Sequence, residues 1–251
     1  MSASVFLIEP ELARDVGIGS VLVLPQSVAH HAQVMRIEPG EICELVDGRG
    51  TRMSGTVAPD GRFGVVSVHK DSLPTLRIDV AQALIKGDRL ENSLDMLTQV
   101  GVTGLIPWNA DHSVVKWNSE KSAKQLVKWK NVTRAATEQS RRSWAPVIHE
   151  PATSNDLAKK LMDYDHVVVL DESGGTDASG ISGGSVLLIV GPEGGVSARE
   201  RQLFAGAVSL RLGTHVFRSE TAGVVGVSYL FTRSGEWNSQ SADPVKGLGN
   251  A

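Results

Sequence analysis

A chain of 251 residues with 41% hydrophobic and 21% charged residues has apolar material for one large domain or two small ones. No apolar run approaches the roughly 18 residues of a membrane helix, and the early acids of MSASVFLIEPELARD argue against a signal peptide. One cysteine, Cys43, rules out an internal disulfide and a cysteine-rich metal site, so a reducing cytoplasm and no metal are the expectations.

Residues 1–73 read as a small β-rich domain. VLVL (21–24) is a strand, and Ser27 can cap a short helix that carries His30, His31 and Met35. ICELVDGRGTRMSGTV reads as two strands around Asp47-Gly48-Arg49-Gly50, and APDG before RFGVVSV makes another hairpin turn. Short strands with glycine turns predict a small barrel. Asp71-Ser72-Leu73-Pro74 is a linker candidate.

Residues 74–234 alternate strands with helices. IDVAQAL (78–84) is a strand. Leu90, Leu94, Leu97 and Val100 give a helix over 88–100 with Asp88 as its N-cap, while Lys86 or Arg89 can face a substrate. LIPW is a strand, and a long helix over about 119–142 sets Leu126, Trp129, Thr133 and Ala136 on one face. Lys121, Lys124 and Lys128 lie on the other. Although the whole chain carries −3, residues 116–142 hold eight lysines and arginines against two acids, a local +6. Such a patch is an electrostatic footprint for nucleic acid, and Arg141 and Arg142 are either phosphate contacts or a solvated helix end. The dispersed tryptophans read as core or interface residues rather than a stacking platform. VIHE, a helix near 155–162, HVVVLD, a loop with five glycines, LLIV, a helix from Ser197, VSL and a helix over about 220–231 follow. The pattern predicts an α/β domain with a mainly parallel sheet covered on both faces. Residues 235–251 are polar and small and read as a disordered tail.

Two segments carry chemistry. LLIVGPEGGVSARE (187–200) is a buried strand, a glycine turn, and Ser197-x-x-Glu200, a capping box opening a helix. A loop between a strand's carboxyl end and a helix is where α/β folds bind ligands. It lacks the Lys-Ser/Thr of a phosphate loop and the Gly-x-Gly-x-x-Gly fingerprint. The second is LRLGTHVFRSETAGVVGVSYL (210–230), where Arg218 and Glu220 stand before a nearly all-apolar helix. They either pair with each other to close the fold or meet a ligand. Two such loops at one sheet edge would clasp a flat heterocycle with backbone groups, and Glu193 would suit a cationic ligand.

VGPEGGVSARE followed by LGTHVFRSETA resembles the paired C-terminal motifs of the bacterial 16S rRNA uracil-N3 methyltransferases, a SPOUT-class family. VAHHAQVMRIEPGEICELVDGRG, KGDRLENSLDMLTQVGV, HSVVKW and TEQSRRSWAP extend the similarity over about residues 5–233, with Val216-Phe217 departing mildly from the family's usual Ile-Leu. The resemblance implies a PUA-like RNA-binding barrel, a second domain with a deep trefoil knot, and a homodimer acting on 16S rRNA of the small ribosomal subunit. It implies S-adenosylmethionine held by Leu170, Val190, Gly191, Glu193, Gly194, Gly195, Leu212, Gly213, Val216, Phe217, Arg218 and Thr221. Arg218 would stabilise the uracil N3 anion, with Glu220 orienting it or aiding proton removal. Because N3 lies on the pairing edge, the target base must be unpaired or flipped out. His30, Arg36, Arg49, Lys86, Arg89, Arg141 and Arg142 are the RNA-contact candidates, His30 and His31 having ordinary helix roles as the alternative. Alternatives for the whole chain are another SPOUT RNA methyltransferase, such as a 2′-O-methylating one, or a non-catalytic RNA-binding factor in ribosome assembly.

Overall fold

The structure is a computed structural model, and residues 3–175, 178 and 180–238 are described. The first part contains β1 (Ser4–Leu7), β2 (Val21–Val23), α1 (Gln26–Val34), β3 (Ile42–Val46), β4 (Thr51–Val57) and β5 (Arg62–Lys70). The strands form one five-stranded sheet in the order β1-β3-β4-β5-β2. Alternation in β3 and β4 sends Cys43, Leu45 and Met53 inward onto Phe6 and Phe63. Burial pushes the Cys43 thiol up to about 12, aided by Glu41 and Glu44, so it stays an inert core thiol. The Asp47 turn closes on itself: its Oδ1 accepts from the amides of Arg49 (2.7 Å) and Thr51 (2.8 Å). Gly50 has φ +92°, and a Cβ there would lie 2.5 Å from the Trp144 ring, so only glycine fits.

The second part contains β6 (Leu76–Ala83), α2 (Arg89–Val100), β7 (Gly104–Asn109), α3 (Ser119–Gln139), β8 (Val147–Ile148) and β9 (Ala152–Thr153). Next come α4 (Ser154–Lys160), β10 (His166–Leu170), β11 (Gly184–Val190), α5 (Ala198–Leu203), β12 (Val208–Leu210) and α6 (Ser219–Ser234). The sheet runs β12-β10-β11-β6-β7-β8 with β9 also on β7, every pairing parallel. Both faces are covered. Val186, Leu188 and Val190 of β11 join the core under α2 and α6, while Leu187 and Ile189 face Leu157 and Phe204 beneath α4 and α5. This is why LLIV is a continuous apolar run rather than an alternating one. Trp108, Trp117 and Trp129 are buried core residues.

Several local expectations are corrected. Ser27 lies inside α1, whose N-cap position is Pro25 without a side-chain cap. Asp88 occupies the N-cap position of α2, but its backbone is helical and its side chain caps nothing. Helix α3 stops at Gln139, because Arg141 turns to φ +56°. Residues 236–238 of the expected tail form a 3-10 turn whose Glu236 carboxylate accepts from the amides of Thr75 and Leu76. The remainder of the tail, 239–251, lies outside the described residues.

The two parts are tied together through α3 and the segment after it. The Leu7 amide donates to Glu138 (2.8 Å), and Arg134 donates to the Leu7 carbonyl. Arg52 bonds Glu44 and the Arg141 carbonyl, and Trp144 Nε1 donates to the carbonyls of Asp71 and Ser72, both 3.2 Å away.

Candidate active site

Strands β10, β11 and β12 are neighbours, and all three point their carboxyl ends the same way. Their following loops therefore meet. Between them lies a cavity of about 480 Å³, within the roughly 300–1,000 Å³ of small-molecule sites. Leu170, Asp171 and Glu172 form one wall, residues 190–196 the second, and residues 210–219 the third. Of the predicted cofactor residues, Leu170, Val190, Gly191, Glu193, Gly194, Gly195, Leu212, Gly213, Val216, Phe217 and Arg218 line this cavity. Thr221 does not: it is one turn into α6, with its amide bonded to the Arg218 carbonyl.

The glycine loop is held from behind. Ser197 accepts from the Glu200 amide, and Glu200 accepts from the Ser197 amide (2.8 Å), which is the predicted capping box. Glu200 is fully buried, and its other oxygen accepts from the Asp111 amide (2.7 Å) and Ser154 (2.6 Å). Hydrogen bonds from Arg199 and then Ser197 hold the Asp111 carboxyl down to about 2. His112 Nδ1 lies 2.9 Å and 3.1 Å from the carbonyls of Gly194 and Gly195, so it carries the proton and donates to them. A Cβ on Gly194 would come within 3.0 Å of the His112 Cβ. Gly195 has φ +69° with open space where a Cβ would sit. Burial pushes the Asp171 carboxyl in the opposite wall up, but bonds from Arg201 (2.8 Å) and Ser173 outweigh it and keep it below the usual range.

Arg218 is exposed on the cavity wall, and its side chain makes no hydrogen bond or ion pair among the described residues. The predicted alternative, an Arg218–Glu220 pair closing the helix, is not formed. Glu220 instead lies 3.9 Å from Arg89, outside the cavity wall, and its Oε2 is buried with no hydrogen-bond partner among the described residues. Lys86, in the loop after β6, and Arg89, the first residue of α2, are exposed, and β6 is the next strand along the same sheet edge. His30, Arg36 and Arg49 are exposed on the first part, and Arg141 on the segment after α3. Arg142 is corrected. Its guanidinium donates to the carbonyls of Thr98 (2.7 Å), Gly101 and Val102 (both 3.1 Å), closing the C-terminus of α2. Burial pulls it down to about 10, so it stays charged at neutral pH. Its guanidinium is thereby committed to capping this helix end.

Sequence reading missed His112, Asp111, Ser219 and Gln82. Ser219 lines the cavity and donates to the Gly191 carbonyl (2.6 Å), and the fully buried Gln82 donates to Ser219 (3.0 Å). Only its polarity between two alanines of the mostly apolar strand IDVAQAL could have signalled Gln82.

A sheet edge of this kind, with a glycine cradle and an uncommitted arginine, accords with the family matches. A family model described as an RNA methyltransferase domain matches residues 71–231, and one described as an RNA methyltransferase PUA domain matches 24–63. The molecule is thus an α/β RNA methyltransferase by class. The ribosomal RNA small subunit methyltransferase E of Mycobacterium bovis is 33% identical over 227 residues, covering 85% of this chain and 87% of the relative. That of Bacillus subtilis is 29% identical over 81% of this chain and 86% of its own length. A Legionella pneumophila protein described as a methyltransferase, solved in complex with bound S-adenosylmethionine, superposes with a TM-score of 0.82 at 26% identity. The match covers 92% of this chain and 98% of that one. The chain belongs to the ribosomal RNA small subunit methyltransferase E family.

Proposed function

We propose that the protein transfers a methyl group from S-adenosylmethionine to N3 of a uridine in 16S rRNA of the small ribosomal subunit. The observation that carries this reading is Arg218, an uncommitted guanidinium on the wall of a glycine-lined cavity. Relatives named as small-subunit rRNA methyltransferases and the cofactor-bound Legionella neighbour support it.

The residues present fit the cofactor. Gly195 and Gly213 leave open space where a Cβ would sit, and Glu172 and Glu193 suit a cationic ligand. Leu170, residues 190–195 and residues 212–218 would hold it. When bound, S-adenosylmethionine supplies an electrophilic methyl group on a sulfonium. The chain's own residues then have to place the base and deal with its proton. As N3 gives up its proton to solvent water, negative charge spreads onto O2 and O4, and Arg218 stabilises it there. Glu220 works from the side, holding Arg89 near the substrate edge. In-line displacement needs positioning more than a nucleophilic side chain, and the one serine hydroxyl of the described cavity wall, Ser219, is given to the Gly191 carbonyl.

The reading includes an N-terminal PUA-like barrel over 1–73 and a knotted SPOUT domain over 74–234. It also includes a homodimer working in the cytoplasm. His30, Arg36, Arg49, Lys86, Arg89 and Arg141 are the RNA contacts within it, all exposed. The test is to incubate purified protein with labelled S-adenosylmethionine and either 16S rRNA or small subunits, then digest to nucleosides. N3-methyluridine is the expected product. A 2′-O-methylated nucleoside would replace the reading with another SPOUT activity, and no label transfer to either substrate would overturn it.

A further inference from the structure

A buried polar relay runs beneath the cavity. Gln82 of β6, Ser93 of α2 and Ser219 of α6 are all buried in an apolar setting. Gln82 Nε2 donates to Ser219 Oγ (3.0 Å) and to the Ala83 carbonyl (3.2 Å), while its Oε1 accepts from Ser93 (3.4 Å). Ser219 in turn donates to the Gly191 carbonyl (2.6 Å). The direction of the relay is fixed by its ends. A carbonyl only accepts, so the amide nitrogen must face Ala83 and Ser219, and the single Ser219 hydroxyl proton is left for Gly191. Reversing the amide would set Oε1 against the Ala83 carbonyl and turn the Ser219 proton away from Gly191.

Two loops are joined by this relay. Gly191 begins the glycine loop, and Ser219 follows Arg218 directly. We propose that Gln82 is a positioning residue for methyl transfer: through Ser219 it locks the Gly191 carbonyl to the first turn of α6, setting the cofactor loop and Arg218 in register. Gln82 itself does not line the cavity. A fully buried amide whose donors are both used is rigid, and breaking it leaves unsatisfied partners in a low-dielectric setting. The proposal rests on the cofactor reading above, because it names what holds that same cavity in shape.

The test uses the full chain with Gln82→Met, which keeps length and removes the bonds, and Ser219→Ala. Ser219→Thr keeps the hydroxyl as the conservative control. Amide hydrogen exchange at Gly191 and over 193–195, measured without any ligand, is expected to rise roughly tenfold in the first two variants and stay at the wild-type rate in Ser219→Thr. S-adenosylmethionine affinity is expected to fall by a similar factor, with no further loss in the double variant. Unchanged exchange in folded Gln82→Met and Ser219→Ala overturns the proposal. So does additive loss in the double variant. If Gln82→Met fails to fold, Ser219→Ala decides on its own. Wild-type protein that does not bind S-adenosylmethionine overturns the functional reading, while the exchange measurement still decides the relay.

Discussion

Glu220 holds its Oε1 3.9 Å from Nε of Arg89, across the gap between the first turns of α6 and α2, and leaves Oε2 buried without a hydrogen-bond partner among the described residues. Arg89 is half exposed while Glu220 is largely buried, so the two sides of the pair are unequal. Removing Arg89 strands a carboxylate in a poorly solvated place. Arg89→Ala is expected to cost about 1–3 kcal/mol of stability. Arg89→Ala/Glu220→Gln should recover much of it. Thermal or urea unfolding of the wild type, Arg89→Ala, Glu220→Gln and the double variant checks this, and an additive double variant would show that the pair is not coupled.

Among the described residues Arg218 has no such partner to lose. Arg218→Ala is expected to stay folded and, at saturating S-adenosylmethionine, to lose single-turnover methylation by about 10²–10³-fold, the scale of one oriented donor to a developing anion. Raising the pH should restore part of the rate, since more N3 anion then forms unaided. Near-normal turnover in the folded variant would remove Arg218 from the chemistry.

Arg142 behaves differently from its neighbour. Arg142→Ala leaves the carbonyls of Thr98, Gly101 and Val102 without their charged donor and should lower stability by about 2–3 kcal/mol. The slope of log K for RNA against log salt should not change, because no phosphate contact is lost. A slope flattened by roughly 0.7–0.9 would return Arg142 to the RNA surface.

The Asp111 anchor gives a pH dependence. Arg199 and Ser197 hold its carboxyl down to about 2, below the ordinary carboxylate value near ~3.9. A depressed group stabilises the fold above its unfolded value, and that contribution is lost as pH falls through the folded one. Amide exchange over 194–200 should therefore accelerate as pH is lowered from about 4 towards 2, beyond the intrinsic pH effect seen at control sites. Arg199→Ala should move that transition upward, and a midpoint that does not move would mean Arg199 is not the cause.

What could be read from the chain were the features whose cause is local. The Ser197–Glu200 capping box needs only an i, i+3 spacing, and it forms as written. Leu90, Leu94 and Leu97 all face the core, as their 3.6-residue period requires. The residues before and after the glycine turn line the cavity because strand ends in a parallel sheet converge. What could not be read were contacts made across long stretches of chain. Glu220 finds Arg89, Arg142 finds the end of α2, and Gln82 finds Ser219 more than a hundred residues away. Strand β1 has four residues and takes its register from β3 in parallel, so nothing local announces it. Ser27 carried a capping residue type at the wrong place, one residue inside a helix already begun at Gln26.

Strand β1 lies at the rim of its sheet, and the Ile8 amide bonds inward to Val46. The amide and carbonyl of Leu7 therefore point outward, where another chain's strand would dock. Glu138 and Arg134 occupy both groups. Two side chains of one helix thus act as a stopper against edge-to-edge stacking of copies, a hazard of open β rims.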